Sequence, residues 1–212
     1  MNFSFVGVIL ILVITIFSVV LHELSHGLVA YWLGDRTAKD MGRLSLNPIK
    51  HIDPFMSILV PVMLYIVGAP VFGGAKPVPI NSYNLKWKEW GMALVAIAGP
   101  LTNFLIALIA FLIGHFTGFI YGSGGDTLEF IFSELVVVNI GFMIFNIIPI
   151  PPLDGSRVLY AIAPNNVRAV MASMEQYGIL IIYILILFFG QAFSGLMANG
   201  INGILHLFFS MV

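Results

Sequence analysis

An all-α polytopic membrane protein is the fold class this sequence predicts, and three observations predict it. Of 212 residues, 59% are hydrophobic and only 9% charged, with a mean hydropathy of +1.02. Soluble domains carry about 25% charged residues, so this chain has too little polar surface to face water on all sides. Four charge-free runs, 1–22, 54–75, 90–125 and 176–212, each exceed the roughly 18 apolar residues that suggest a membrane span. Lys and Arg gather in a few short loops flanked by Trp and Tyr, as at a membrane surface. About five to six transmembrane helices are expected, with a re-entrant or short β-like segment between the first helix and the next core helix.

The first run lacks a basic start and continues into His22 and Glu23 without a small-residue cleavage site. It is therefore expected to stay as a helix and not to act as a cleaved signal. Loop 34–54 follows, with Arg36, Lys39, Arg43 and Lys50. Segment 55–72 is apolar but interrupted by Pro61, Gly68 and Pro70. A full crossing there would put two Lys/Arg-rich loops, 34–54 and 73–90, on opposite sides, so it is expected to dip in and return. Irregular backbone at that depth needs protein or a water-filled cavity around it. Run 90–125 supplies a core helix, in which Gly99-Pro100 and Asn103 read as a helix opening and a packing device. Segment 127–150 is apolar apart from Glu129 and Glu134. Run 176–212 would be about 55 Å long as one helix, too long for the hydrocarbon core, so a break among Gly190, Gly195, Gly200 and Gly203 is expected, with one span to about 194.

No repeat or long linker divides the chain, and 1–212 reads as one membrane domain, with a core of about 1–160 and accessory helices over about 170–212. The positive loops, including 151–170 with Arg157 and Arg168, are expected on the cytoplasmic side and 114–126, which holds no Lys or Arg, outside. Trp32, Trp87, Trp90, Tyr31 and Tyr83 would form the cytoplasmic aromatic belt. A net charge of -1 provides no basic field and argues against nucleic acid as a partner. With no cysteine in the chain, any metal must be held by His, Asp or Glu.

His22-Glu23-Leu24-Ser25-His26 stands inside the first helix. On a helix, residues i and i+4 lie one above the other, so both imidazoles reach one cation while Glu23 stands beside its water. Two interfacial histidines would be the plainer reading, but that leaves a carboxylate between them at considerable desolvation cost. Catalytic zinc takes three protein ligands, and the third is missing from the motif. Soluble zincin spacing fails, since positions 29 and 32 hold Val and Trp. Asp154 answers the need. Pro149, Pro151 and Pro152 break the helix that returns the chain to the cytoplasmic face, and the carboxylate would hang near the depth of the histidines. Its competing role is a helix N-cap. His51 and Asp53 read as ties between the re-entrant segment and the core.

These residues carry a resemblance. HELSH at 22–26, GPLTN at 99–103 and FNIIPIPPLDG at 145–155 resemble the site-2 protease family of intramembrane zinc metalloproteases. GRLSLNPIKHIDP at 42–54 and GGAKPVPIN at 73–81 are similar to its compact microbial branch. The resemblance implies one Zn2+ on His22, His26 and Asp154, with Glu23 as general base and Asn146 as a polar residue near the scissile bond. It departs at Gly155-Ser156, where many members have two glycines, and no PDZ or CBS module is read here.

The expected activity is metal-assisted hydrolysis of peptide bonds within or near transmembrane segments of membrane-protein or peptide substrates. The bilayer is the other partner, and the plasma membrane of a microbe the expected location, with the active site toward the cytoplasm. The alternative is a non-proteolytic zinc-binding membrane protein or a metal transporter. A transporter commonly shows paired halves, and neither His-Glu-x-x-His nor the proline break recurs. A binding-only protein has no evident use for Glu23.

Overall fold

The computed structural model describes residues 5–53, 59, 75–120 and 127–212. The expected re-entrant segment, 55–72, lies almost wholly outside the described residues, as do Gly73, Gly74 and much of loop 114–126. Among the described residues the chain is helical and has no strand. Among the described residues four helices are long and apolar enough to cross a membrane: α1 (Phe5–Trp32), α3 (Lys88–Thr117), α4 (Thr127–Ile147) and α7 (Gly178–Phe209). The short α2 (Thr37–Asp40) follows α1, while α5 (Asp154–Ile162) and α6 (Asn165–Glu175) lie between α4 and α7.

Lipid explains what stays exposed. Ile9, Val13, Ile16 and Phe17 on α1, and Leu94, Ile97, Leu101, Leu105 and Ile109 on α3, stand on the surface. That apolar area is stable only where hydrocarbon covers it. The inward side of α3 is built of small residues, with Gly91, Ala93, Ala96, Ala98, Gly99, Ala107 and Ala110 all buried. Without a hydrophobic driving force inside the bilayer, close backbone approach supplies the packing, and small side chains permit it. α3 is thus the central helix, touching α1, α4 and α5. Toward its far end Phe111 packs in a buried cluster with Val136 and Ile140 of α4 and Phe208 of α7.

Two expectations change in detail. Gly99-Pro100 does not open a helix; it sits in the middle of α3, which starts eleven residues earlier at Lys88. Run 176–212 forms the single element α7, bent at Phe189, where φ is -118° and ψ 19°. The break therefore falls one residue before Gly190, earlier than the expected end of a span near 194.

One end of the bundle is aromatic. Trp32, Tyr83, Trp87 and Trp90 are exposed there, and the Lys86 N–H donates to the Leu33 carbonyl at 2.8 Å, joining the end of α1 to the approach to α3. Ten residues lead from His22 to Trp32 and six from His26, so about 15 Å and about 9 Å of helix lie between the two histidines and this aromatic end.

Candidate metal centre

His22 and His26 project from α1 toward α3 and are 8% and 6% exposed. Their Nε2 atoms lie 3.0 Å apart. Asp154 Oδ2 lies 3.2 Å from His22 Nε2 and 3.4 Å from His26 Nε2, so residues 128 positions apart meet at one point. The chain achieves this by breaking after Ile147. Six residues without helix, including Pro149, Pro151 and Pro152, separate α4 from α5, and Asp154 begins α5 behind Leu153 at the cap. Its carboxylate faces the histidines, which is the ligand geometry and not the N-cap. Gly155 lets this turn close, because a β-carbon there would overlap the Ile147 carbonyl.

α3 shapes the other wall. A β-carbon on Gly99 would collide with both imidazole rings, so a hydrogen at this position makes the room the histidines occupy. Their outer nitrogens are held by the same helix. His26 Nδ1 lies 2.7 Å from the Val95 carbonyl oxygen, and His22 Nδ1 2.6 Å from Asn103 Oδ1. A backbone carbonyl only accepts, so His26 carries a proton on Nδ1, and in the neutral ring this leaves the inward Nε2 free for a cation.

The donor set fits a zinc ion. Asp154 Oδ2 is buried and has no hydrogen-bond partner, although two imidazole nitrogens face it. Lone pairs converging on one point repel unless a cation lies among them, and two imidazoles with a carboxylate suit Zn2+. Among the described residues these three form the group able to hold a metal. His51 is not in it; its Nε2 lies 2.8 Å from the Ser45 carbonyl oxygen.

Glu23 is half-buried, and its Oε2 accepts the Val78 N–H at 2.8 Å. The segment carrying Val78 is laced down on several sides. Arg43 donates to the carbonyls of Lys76 and Pro77 at 3.0 and 3.2 Å, the Lys76 N–H donates to the His51 carbonyl, and the Asn81 N–H donates to Asp35 at 2.7 Å. Asp35 is fully buried. Burial alone would raise its pKa, but donors from Thr37, Asn81 and Asn84 outweigh that and hold the carboxyl below its ordinary value. Residues 75–81 are held in place by these bonds and form neither helix nor strand.

Asn146 stands one residue before the end of α4, and its amide nitrogen donates to the Phe142 carbonyl of the same helix at 3.0 Å. Beside the centre is an apolar cavity of about 510 Å³, lined among others by Pro100, Phe104, Met143, Ile147, Asp154 and Leu159. Sequence reasoning missed Val95, Val78, Asn139 and Ser18, and took Asn103 for packing. An asparagine in the middle of an apolar helix is a signal that could have been weighed more heavily.

Residues 9–124 match the family described as peptidase family M50. That stretch holds the histidines, Glu23 and Asn103 but ends before Asp154. The chain is 42% identical over 179 residues to "Putative zinc metalloprotease YwhC" of Bacillus subtilis (strain 168), an alignment covering 82% of this chain and 78% of the relative. It is 30% identical over 192 residues to the like-named Rip2 of Mycolicibacterium smegmatis, covering 87% and 69%. No solved structure matches the chain.

Proposed function

This chain belongs to peptidase family M50, and from that premise we propose that His22, His26 and Asp154 hold its zinc, with Glu23 as general base. The protein is an intramembrane zinc metalloprotease that hydrolyses peptide bonds of substrates in the membrane. One observation carries the residue assignment: two imidazole Nε2 atoms and an unpartnered carboxylate oxygen converge within 3.4 Å of one another beside Glu23.

Bound there, zinc supplies Lewis acidity toward a peptide carbonyl and toward water. The chain's own residues do the rest. Val78 holds Glu23 Oε2, which leaves Oε1 to take a proton from the attacking water and return it to the leaving nitrogen. The irregular backbone at 148–153 and the apolar cavity between Pro100, Phe104, Ile147 and Asp154 offer space for a substrate backbone that has lost its helix. Asn146 ends α4 beside that opening and is assigned to the substrate backbone, its amide exchanging the Phe142 carbonyl for a substrate group.

The catalytic core is assigned to about 1–160 and an accessory role to about 170–212. The Lys/Arg distribution supports a cytoplasmic position for the aromatic end and, with it, an active site reached from the cytoplasm in the plasma membrane of a microbe. The test is cleavage of a panel of transmembrane peptides by detergent-purified protein with and without Glu23→Gln. Cleavage by the wild type alone supports the reading; equal cleavage by both overturns the role of Glu23.

A further inference from the structure

A chain of buried amides leads away from the metal centre. Asn103 on α3, Asn139 on α4 and Ser18 on α1 are all 0% exposed, inside helices of membrane length. Asn103 Nδ2 donates to Asn139 Oδ1 at 2.8 Å, and Asn139 Nδ2 donates to Ser18 Oγ at 2.9 Å and to the Leu135 carbonyl at 2.8 Å. Polar groups at such depth are costly unless paired, and the modest gain from interhelical hydrogen bonds gives little reason to place three of them there for packing alone.

The direction of this chain is forced from its far end. The Leu135 carbonyl can only accept, so Asn139 must turn its NH2 toward it and its Oδ1 toward Asn103. Asn103 must then present its NH2 to Asn139 and its Oδ1 to His22. Facing an acceptor at 2.6 Å, His22 must carry its proton on Nδ1, and its Nε2 is left bare toward Asp154 and His26. If Asn103 were free to turn over, its NH2 would face Nδ1 and favour a proton on Nε2, a form that cannot take a metal on the nitrogen facing Asp154.

We propose that Asn139 is a positioning residue for the metal centre: through Asn103 it fixes the tautomer of His22, with the Leu135 carbonyl as the reference that sets the sense of the chain. The inference rests on the ligand assignment above. Partners of this kind beyond the ligands change metal affinity about 10- to 100-fold when lost.

The test measures zinc affinity by chelator competition on detergent-purified protein, independently of proteolysis. Asn139→Leu should weaken zinc binding about 10- to 100-fold. Ser18→Ala removes a bond of the same network but leaves Leu135 directing Asn139, and should stay within about twofold of wild type. Adding Asn103→Asp to Asn139→Leu should recover affinity, since a carboxylate accepts from Nδ1 in either orientation. Equal weakening by Asn139→Leu and Ser18→Ala, or none by Asn139→Leu, would reduce the network to packing. Should Asn139→Leu not fold, 15N spectra of histidine-labelled zinc-free wild type decide: His22 protonated on Nδ1 supports the proposal and on Nε2 overturns it. His22→Ala separates the two levels. Full zinc occupancy in that variant sinks the ligand assignment, whereas loss of zinc there with tight binding in Asn139→Leu sinks only the tautomer control.

Discussion

The Val78 backbone N–H donates to Glu23 Oε2 at 2.8 Å, tying the proposed general base on α1 to a segment fifty-five positions later. A carboxylate with one oxygen held has one oxygen aimed, and a base misplaced by about 1 Å can cost about 100-fold in rate. Val78→Pro removes this donor and should lower turnover by about 10- to 100-fold while zinc stays bound. Val78→Ala keeps the N–H and should lose far less. Comparable rates for the two variants, measured on one transmembrane peptide, would show that the hydrogen bond does not matter.

The ligand set predicts a second pattern. Alanine at His22, His26 or Asp154 should bring zinc well below one ion per chain by elemental analysis. Glu23→Gln should retain the full ion and lose cleavage. Gly99→Ala should also lose zinc although it replaces no ligand, because its β-carbon takes the space of both rings. Stoichiometric zinc in His22→Ala would remove that residue from the centre.

What the sequence made legible follows from locality. His22 and His26 meet through four residues of one helix, so their spacing alone announces a site. Asp154 was reachable because three prolines announce where the backbone must open. Asn103, Asn139 and Ser18 meet only through the rotation of three helices about their axes, and no spacing encodes that. Asn146 shows the reverse case: its motif position is plain, but its partner is the Phe142 carbonyl of its own helix. The bend at Phe189 likewise depends on packing, since Gly190 alone does not say on which side of it the backbone leaves helical geometry.

Asp35 predicts an acid-sensitive anchor. Its folded pKa lies below the ordinary 3.8, because burial, which opposes ionisation, is outweighed by donors from Thr37, Asn81 and Asn84. A carboxyl depressed on folding adds stability above its unfolded pKa, and that contribution is lost as pH falls through the lower folded value. Thermal unfolding in detergent should therefore weaken below about pH 4, and Asp35→Asn should cost about 2 kcal/mol at neutral pH and flatten this acid limb. An unchanged acid limb in Asp35→Asn would assign the sensitivity to other carboxyls.

Topology can be read with single cysteines, since the chain has none. Ser82 lies at the aromatic end beside Tyr83, and Ser123 in the loop without Lys or Arg that is expected outside. An impermeant thiol reagent on intact cells should label Ser123→Cys and spare Ser82→Cys. The reverse would turn the whole bundle over and put the metal centre nearer the outer face.

The last prediction concerns how a helical substrate becomes cleavable. An intact helix spends its carbonyls on i to i-4 bonds and denies a near-attack geometry. Opening it in lipid exposes N–H and C=O groups at a cost of several kcal/mol each unless the enzyme supplies partners. Asn146 can be such a partner, with an amide that both donates and accepts, once it gives up a bond to the Phe142 carbonyl that is already satisfied within α4. Loss of that redundant bond should cost little stability, so Asn146→Ala should keep zinc and near-normal thermal unfolding while cleaving helical substrates about tenfold or more slowly. On substrates already broken by Gly-Pro near the scissile bond the defect should shrink, because the substrate then needs less help to open. Equal defects on helical and pre-broken substrates, or an unchanged rate on both, would leave Asn146 as a local helix contact.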